Sequence, residues 1–162
     1  MSIIYLQTNI KAPIAICFDL SRSVELHILS TEHTKEKAVA GKVSGLFNIE
    51  DTVTWRARHF GIYQKLTVRI TGCIYPCYFE DQTVSGTFKS FTHKHYFKVL
   101  NGSTLMEDMF EYEVPYGIVG KVFNKIILYN YMKQLLLTRN KMIKQVAESG
   151  DWQNIIETPS TY

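Results

Sequence analysis

Residues 104–147 read TLMEDMFEYEVPYGIVGKVFNKIILYNYMKQLLLTRNKMIKQVA, and the change of period inside this stretch decides the fold. Up to Val114 the apolar residues recur at every second position, as a half-buried strand requires. After Pro115-Tyr116-Gly117 they recur at spacings of three and four, as one face of a helix requires. Proline lacks an amide proton and glycine adopts backbone angles other residues avoid, so this tripeptide separates the two periods. Strand-like alternation extends back to Thr52, which predicts a meander of antiparallel strands from Thr52 to Val114 closing on one long helix, Gly117 to Ala147. The curved inner face of such a sheet must be filled by the helix, by side chains or by a ligand. The order of elements therefore predicts a cavity between sheet and helix.

Upstream of the meander, Ile3 to Thr8 reads as a first strand. Ala12-Pro13 places a proline at a helix start, with Ile14 to Leu20 as a short helix. Ser21 or Ser23 can cap a second short helix running to Ser30, because a serine oxygen accepts the orphan amide protons of a first turn. Thr31 to Lys37 is then a loop or the beginning of an edge strand, and Gly41 to Gly45 supplies a turn before Leu46 to Glu50. The sum is an α+β chain without internal repeats. Residues 1–148 are expected to form one domain and 149–162 a loosely held tail.

Composition narrows the function classes. At 162 residues and 46% hydrophobic, the chain can bury a core without disulfides or a structural metal. A net charge of +3 is too mild to argue for nucleic acid, which selects concentrated Lys and Arg. Cys17, Cys73 and Cys77 are odd in number and read as reduced, apolar thiols of a cytoplasmic protein. The apolar run Ala12 to Phe18 is too brief and wrongly flanked for a signal peptide. Ile118 to Leu137 is apolar but is interrupted by Lys121, Lys125 and Lys133, so a packed helix is expected and stable membrane insertion is not.

Alternation sorts the strands into two faces. Val53, Trp55, Ala57 and His59 share one side, as do Phe91, His93, His95 and Phe97, and Met106, Asp108, Phe110, Tyr112 and Val114. The other side carries Arg56, Arg58, Lys94 and Lys98 against Glu107, Glu111 and Glu113, suited to solvated ion pairs that contribute only about 0 to 1 kcal/mol each. The inner set mixes aromatics with polar groups, and a buried polar group left unbonded costs roughly 1 to 3 kcal/mol. Such a mixture is what a ligand pocket contains. The candidate ligand-binding residues are His27, Trp55, His59, His93, His95, Phe97, Met106, Asp108, Phe110 and Tyr112. The opening is expected near the short helices and the loops Gly72 to Pro76 and Gly102.

Several segments carry a family resemblance: Ala12-Pro13 to Ser23, Val53 to Gly61, Phe79-Glu80-Asp81 to Phe88, His93-Lys94-His95, and Pro115-Tyr116-Gly117 to Met132. Together they resemble the START-related, Bet v 1-like superfamily, in particular its small bacterial branch labelled polyketide cyclase/dehydrase-like or cell-division-inhibitor-like. The resemblance implies a helix-grip fold, in which a curved antiparallel sheet wraps a long C-terminal helix around a hydrophobic cavity. It also implies two short helices after the first strand. No catalytic motif of the aromatase/cyclases transfers onto this sequence, and a fold so widely reused does not assign a reaction.

Binding of a small hydrophobic molecule, such as a lipid, a polyketide or another aromatic or isoprenoid-like compound, is the leading expectation. His93, His95 and Asp108 are also candidate catalytic residues for acid-base chemistry of the cyclase or dehydratase kind, since a carboxylate beside an imidazole raises its basicity. The pair His93 and His95, with His59 or Asp108, has a spacing that zinc sites use, but core or ligand-orienting histidines bonded to Asp108 are the favoured reading, and no metal or other cofactor is expected. A third reading is a protein-interaction module with a filled cavity. Along the last helix Ile118, Val119, Val122, Phe123, Ile126, Tyr129, Met132, Leu136 and Ile143 form an apolar stripe expected in the core and cavity wall. Lys121 and Lys125 on its polar side leave room for a weak acidic partner or membrane-surface contact.

Overall fold

The computed structural model describes residues 1–156. The meander forms as β3 (Thr52–His59), β4 (Ile62–Ile74), β5 (Tyr78–Gly86), β6 (Ser90–Leu100) and β7 (Ser103–Glu113), which pair in sequence as antiparallel neighbours, and burial alternates along β3, β6 and β7. Val53, Trp55 and Ala57, then His93, His95 and Phe97, then Met106, Asp108, Phe110 and Tyr112 are all buried on the inner face. Phe60-Gly61 and Asn101-Gly102 close the β3–β4 and β6–β7 hairpins with both residues at positive φ, the backbone that matches the twist of the flanking strands. On the outer face Lys98 and Glu107 form the expected ion pair at 2.8 Å.

Strand β1 (Ser2–Ile10) joins the sheet beside β7, and β2 (Lys37–Gly41) lies at the opposite edge beside β3, so seven strands follow the order β1-β7-β6-β5-β4-β3-β2. Between β1 and β2 stand helices α1 (Ile14–Ser21) and α2 (Val24–Ser30). Of the two serines able to cap α2, Ser23 does so, its Oγ accepting from the Leu26 amide at 3.2 Å. A continuous helical run then crosses the sheet: α3 (Gly117–Phe123), a π-helical turn (Asn124–Leu128) and α4 (Tyr129–Ser149). This is the helix-grip arrangement. Among the described residues no helix is long and apolar enough to cross a membrane.

Side-chain hydrogen bonds fasten the helix to the sheet. Asn140 of α4 donates to Asp108 Oδ2 of β7 at 2.6 Å and to Thr8 Oγ1 of β1 at 3.3 Å. At the π-helical turn, Tyr112 Oη donates to Asn124 Oδ1 at 2.6 Å, and Asn124 Nδ2 donates to Ser2 Oγ at 2.8 Å. Around these contacts the core divides in two. One cluster gathers Cys17, Phe18, Phe79, Phe97, Met106 and Ile143 under α1 and the end of α4, and the other gathers Trp55, Val68, Phe91, Phe110, Tyr112 and Leu136. Cys17, Cys73 and Cys77 are free thiols, and burial pushes the Cys17 thiol up to about 11, so it packs as a small apolar group.

Two expectations are corrected. The apolar stripe of the last helix is buried only in its second half: Leu136 and Ile143 are covered, whereas Ile118, Val119, Val122, Phe123 and Ile126 are exposed, Ile118 by 80%. The spacing is helical throughout, but α4 packs on β1, α1 and α2 while α3 runs past the edge of that support. The segment expected as a loose tail is docked as far as it is described. Asp151–Asn154 forms a 3-10 turn, Trp152 and Ile155 pack against the first core cluster, and Ile156 is buried in it. Residues 157–162 lie outside the described residues.

Ser23→Ala removes the α2 cap and is expected to lower stability by about 1 kcal/mol. Asn140→Ala takes a donor from a buried carboxylate and should cost about 1.5 to 3 kcal/mol. Midpoints of urea unfolding at unchanged slope check both, and a loss below that of Ser23→Ala would remove Asn140 from its assigned role.

Candidate functional site

Between the inner face of the sheet and the helical run lies a cavity of about 480 Å³. Trp55, Phe88, Phe91 and Phe110 line it from the sheet side, and Leu128, Met132, Leu135 and Leu136 line it from the helix. The space lies between the two points at which the helical run is fastened to the sheet, Asn124 and Asn140. Exposed wall residues mark the opening: Phe60 and Ile62 of the β3–β4 hairpin, Thr87 of the β5–β6 turn, and Tyr116 and Phe123 of the helix start. Phe60 packs its ring against Phe123 at 5.6 Å and Tyr131 at 4.6 Å across this mouth. None of Gly72 to Pro76, nor Gly102, is on the wall, so the expected opening is moved to the other end of the strands.

One end of the cavity is polar. His95 Nδ1 lies 2.7 Å from Asp108 Oδ1, in a pair from which solvent is excluded, and His95 Nε2 is 3.5 Å from Asp81 Oδ1 on the neighbouring strand. His93 stands beside His95 with ring centroids 3.9 Å apart, and its Nε2 lies 3.3 Å from Asp108 Oδ1 without aligning as a hydrogen bond. Phe79 stacks on His95 at 4.0 Å. From α4, Arg139 donates through Nη2 to the Ser21 carbonyl at 2.6 Å and holds Nη1 3.8 Å from Asp108.

Electrostatics in this cluster follow from burial and proximity. Burial pushes the His93 imidazole down to about 4, helped by the neighbouring His95, so it is neutral near pH 7. Burial opposes ionisation of Asp108 as well, but the two imidazoles beside it outweigh burial and hold its carboxyl well below the usual range. Asp81 is lowered in the same way by His95 and His93. Burial also lowers the Arg139 guanidinium, opposed by Asp108 and Asp81. The cluster therefore carries two ionised carboxylates around a guanidinium and two imidazoles.

A second polar group lies along the wall. His27 of α2 stacks on Trp55 with centroids 4.1 Å apart and places Nε2 3.3 Å from Glu36 Oε2. Burial opposes ionisation of Glu36, yet His27 beside it keeps its carboxyl below the usual value. His59 Nδ1 meets Tyr131 Oη at 2.8 Å, and burial lowers that imidazole.

Of the ten residues expected at the site, His27, Trp55, His59, His93, His95 and Phe110 stand on the wall. Phe97, Met106, Asp108 and Tyr112 do not, although all four face inward and are buried as alternation requires. The inner face is longer than the cavity. Phe97 and Met106 lie under α1, Tyr112 is engaged by Asn124, and Asp108 sits behind His95 and Asn140. Glu36, Asp81 and Arg139 are polar wall residues that the sequence reading missed. Alternation through Phe79 and Asp81 would have placed Asp81 inside. Arg139, one of several cations late in a helix, carried no distinguishing signal.

No protein-family model and no curated protein matches this sequence. Solved structures do match in shape. A protein of Thermus thermophilus has 14% identity and a TM-score of 0.75, the match covering 92% of this chain and 99% of that one. A START superfamily protein from Mycobacterium smegmatis has 13% identity and a TM-score of 0.68, with 91% and 97% covered. Major latex-like protein 151 from Panax ginseng has 15% identity and a TM-score of 0.66, with 90% and 97% covered. With a seven-stranded antiparallel sheet, two short helices after the first strand and a long C-terminal helix, the chain has the Bet v 1-like helix-grip fold.

Proposed function

We propose that this protein binds a small hydrophobic molecule with one polar end, such as a lipid, a polyketide or another aromatic or isoprenoid-like compound, in the cavity between sheet and helix. The observation that carries this reading is the cavity's asymmetry: about 480 Å³ walled by aromatic and aliphatic side chains, open at one end and closed by charged groups at the other. That volume is in the range of small-molecule sites, which combine apolar walls with a few polar groups that fix orientation. Each 100 Å² of apolar ligand surface covered contributes about 2.5 kcal/mol. His93, His95, Asp81 and Arg139 then orient a hydroxyl or carbonyl at the closed end, while Asp108 acts through His95.

The acid-base alternative uses the same groups. In its favour stands the 2.7 Å contact of His95 with Asp108, which would hold the imidazole for proton transfer. Clamping between Asp108 and Asp81 suits orientation equally well, and binding precedes either role.

A surface reading belongs beside the cavity. Ile118, Val119, Val122 and Ile126 are exposed next to the mouth, together with Lys121 and Lys125. Exposed apolar patches of this kind mark interaction sites. Lysines near an anionic leaflet add roughly 1 kcal/mol each. The occupant we assign is an anionic lipid surface, from which an apolar ligand could pass into the cavity.

Both readings are open to direct test. The apolar dye 1-anilinonaphthalene-8-sulfonate should bind with one-to-one stoichiometry and be displaced by fatty acids, and Ala57→Trp, which fills the wall, should weaken it at least about tenfold with the fold retained by circular dichroism. Unchanged dye binding in that variant would contradict a cavity site. Vesicles containing phosphatidylserine should sediment the protein, and Val122→Glu with Ile126→Glu should abolish this; equal sedimentation of both proteins would remove the surface reading.

A further inference from the structure

We propose that Asp81, His93 and His95 form a binding site for one divalent transition-metal ion, facing the polar end of the cavity. The three side chains come from adjacent strands, Asp81 pairing with His93 and Phe79 with His95 across β5 and β6, and one ligand atom from each lies within 4.8 Å of the others. An ion with tetrahedral ligands about 2.1 Å away holds them about 3.4 Å apart. His95 Nε2 and Asp81 Oδ1 are already 3.5 Å apart, and the remaining separations are no more than 4.8 Å.

The surroundings supply what a bare pair of histidines lacks. Ligating imidazoles usually give their second nitrogen to a carboxylate, which fixes the ring and its tautomer. Asp108 stands in that place for His95, its Oδ1 2.7 Å from His95 Nδ1 and its other oxygen held by Asn140 at 2.6 Å, while His93 Nε2 lies 3.3 Å from the same Oδ1 without aligning as a hydrogen bond. A proton on His95 Nδ1 directed at Asp108 leaves Nε2 of His95 with its lone pair free, 3.5 Å from Asp81 Oδ1. His93 is buried, and its Nε2 has no hydrogen-bond partner, so Asp108 and His93 gain from an ion that draws the ring into line. Charge favours a cation too, since two carboxylates, Asp81 and Asp108, face the single guanidinium of Arg139.

Two imidazoles and one carboxylate are the donor set of zinc sites with an open position and of non-haem Fe(II) sites. Because all three donors lie on the cavity wall, the open positions face the space where a ligand's polar end would lie. A carbonyl or hydroxyl there would be polarised by the ion, which gives the cavity a preference for oxygen-bearing ligands. That preference rests on the cavity reading above; the metal site itself does not.

Cobalt(II) alone is the probe, added to untagged protein carrying Cys73→Ser and Cys77→Ser so that thiols do not compete. The expected result is one equivalent bound per chain, with visible d–d absorption, competed by zinc and accompanied by a rise in melting temperature. Asp81→Asn, at a half-buried position, should weaken binding by at least about tenfold, and Asp108→Asn by about 10- to 100-fold. Both variants are first checked for an unchanged near-ultraviolet spectrum and a cooperative unfolding transition without metal, so that loss of the fold is told apart from loss of the metal. Absence of a cobalt spectrum in the folded protein, or one that persists at equal affinity in Asp81→Asn, would overturn the site.

Discussion

A carboxylate with no contact to solvent, Asp108, sits where strand β7, strand β6 and helix α4 meet. An isolated charge in that position would cost many kcal/mol, so its neighbours are dictated. His95 must face it from β6, Asn140 from α4, and Arg139 must stay close enough to balance charge. These contacts set the rotation of the last helix over the sheet and the direction in which two imidazoles look. Removing one hydrogen-bond partner of a buried charge costs about 1.5 to 3 kcal/mol, a large fraction of what holds a domain of this size together.

From that anchor the cavity follows. The helix is held down at Asn140 and again at Asn124, and apolar side chains between these two points span the gap to the sheet without filling it. Leu136 is buried where the elements are close, Met132 and Tyr131 are half-buried where they separate, and α3 projects past the sheet. The wall is therefore mainly apolar, with a charged cluster at the anchor and a second polar group, His27, Glu36 and His59, along its side. The proposed function rests on this distribution, since apolar walls hold the body of an amphipathic guest and the charged cluster at the anchor holds its polar end.

Much of this was legible in the residues. Alternation along Thr52–His59, Ser90–Leu100 and Ser103–Glu113 placed every inward side chain correctly, because a period of two leaves no freedom once one face is apolar. Pairing across strands then brought His95 opposite Asp108. What was not legible is distance along the normal to the sheet. Alternation says that Phe97, Met106, Asp108 and Tyr112 point inward, but whether a pointing residue meets empty space, a helix or another side chain depends on where α1 and α4 settle. The same limit explains Ile118 to Ile126, whose helical spacing is regular although nothing lies opposite. Asp81 was missed for another reason: alternation was not followed through β5, where Phe79 alone marks the inner face and pairing with β4 runs through two register shifts.

The central claim is that the cavity is a binding site for a small amphipathic molecule. Comparison of the native mass of freshly purified protein with its denatured mass tests it most directly, with the denatured fraction analysed for released compounds. The account predicts a reproducible increment of a few hundred daltons that disappears on denaturation and is lost in Ala57→Trp. A native mass equal to that of the bare chain, unaltered after incubation with lipids, polyketides and isoprenoids, would contradict it.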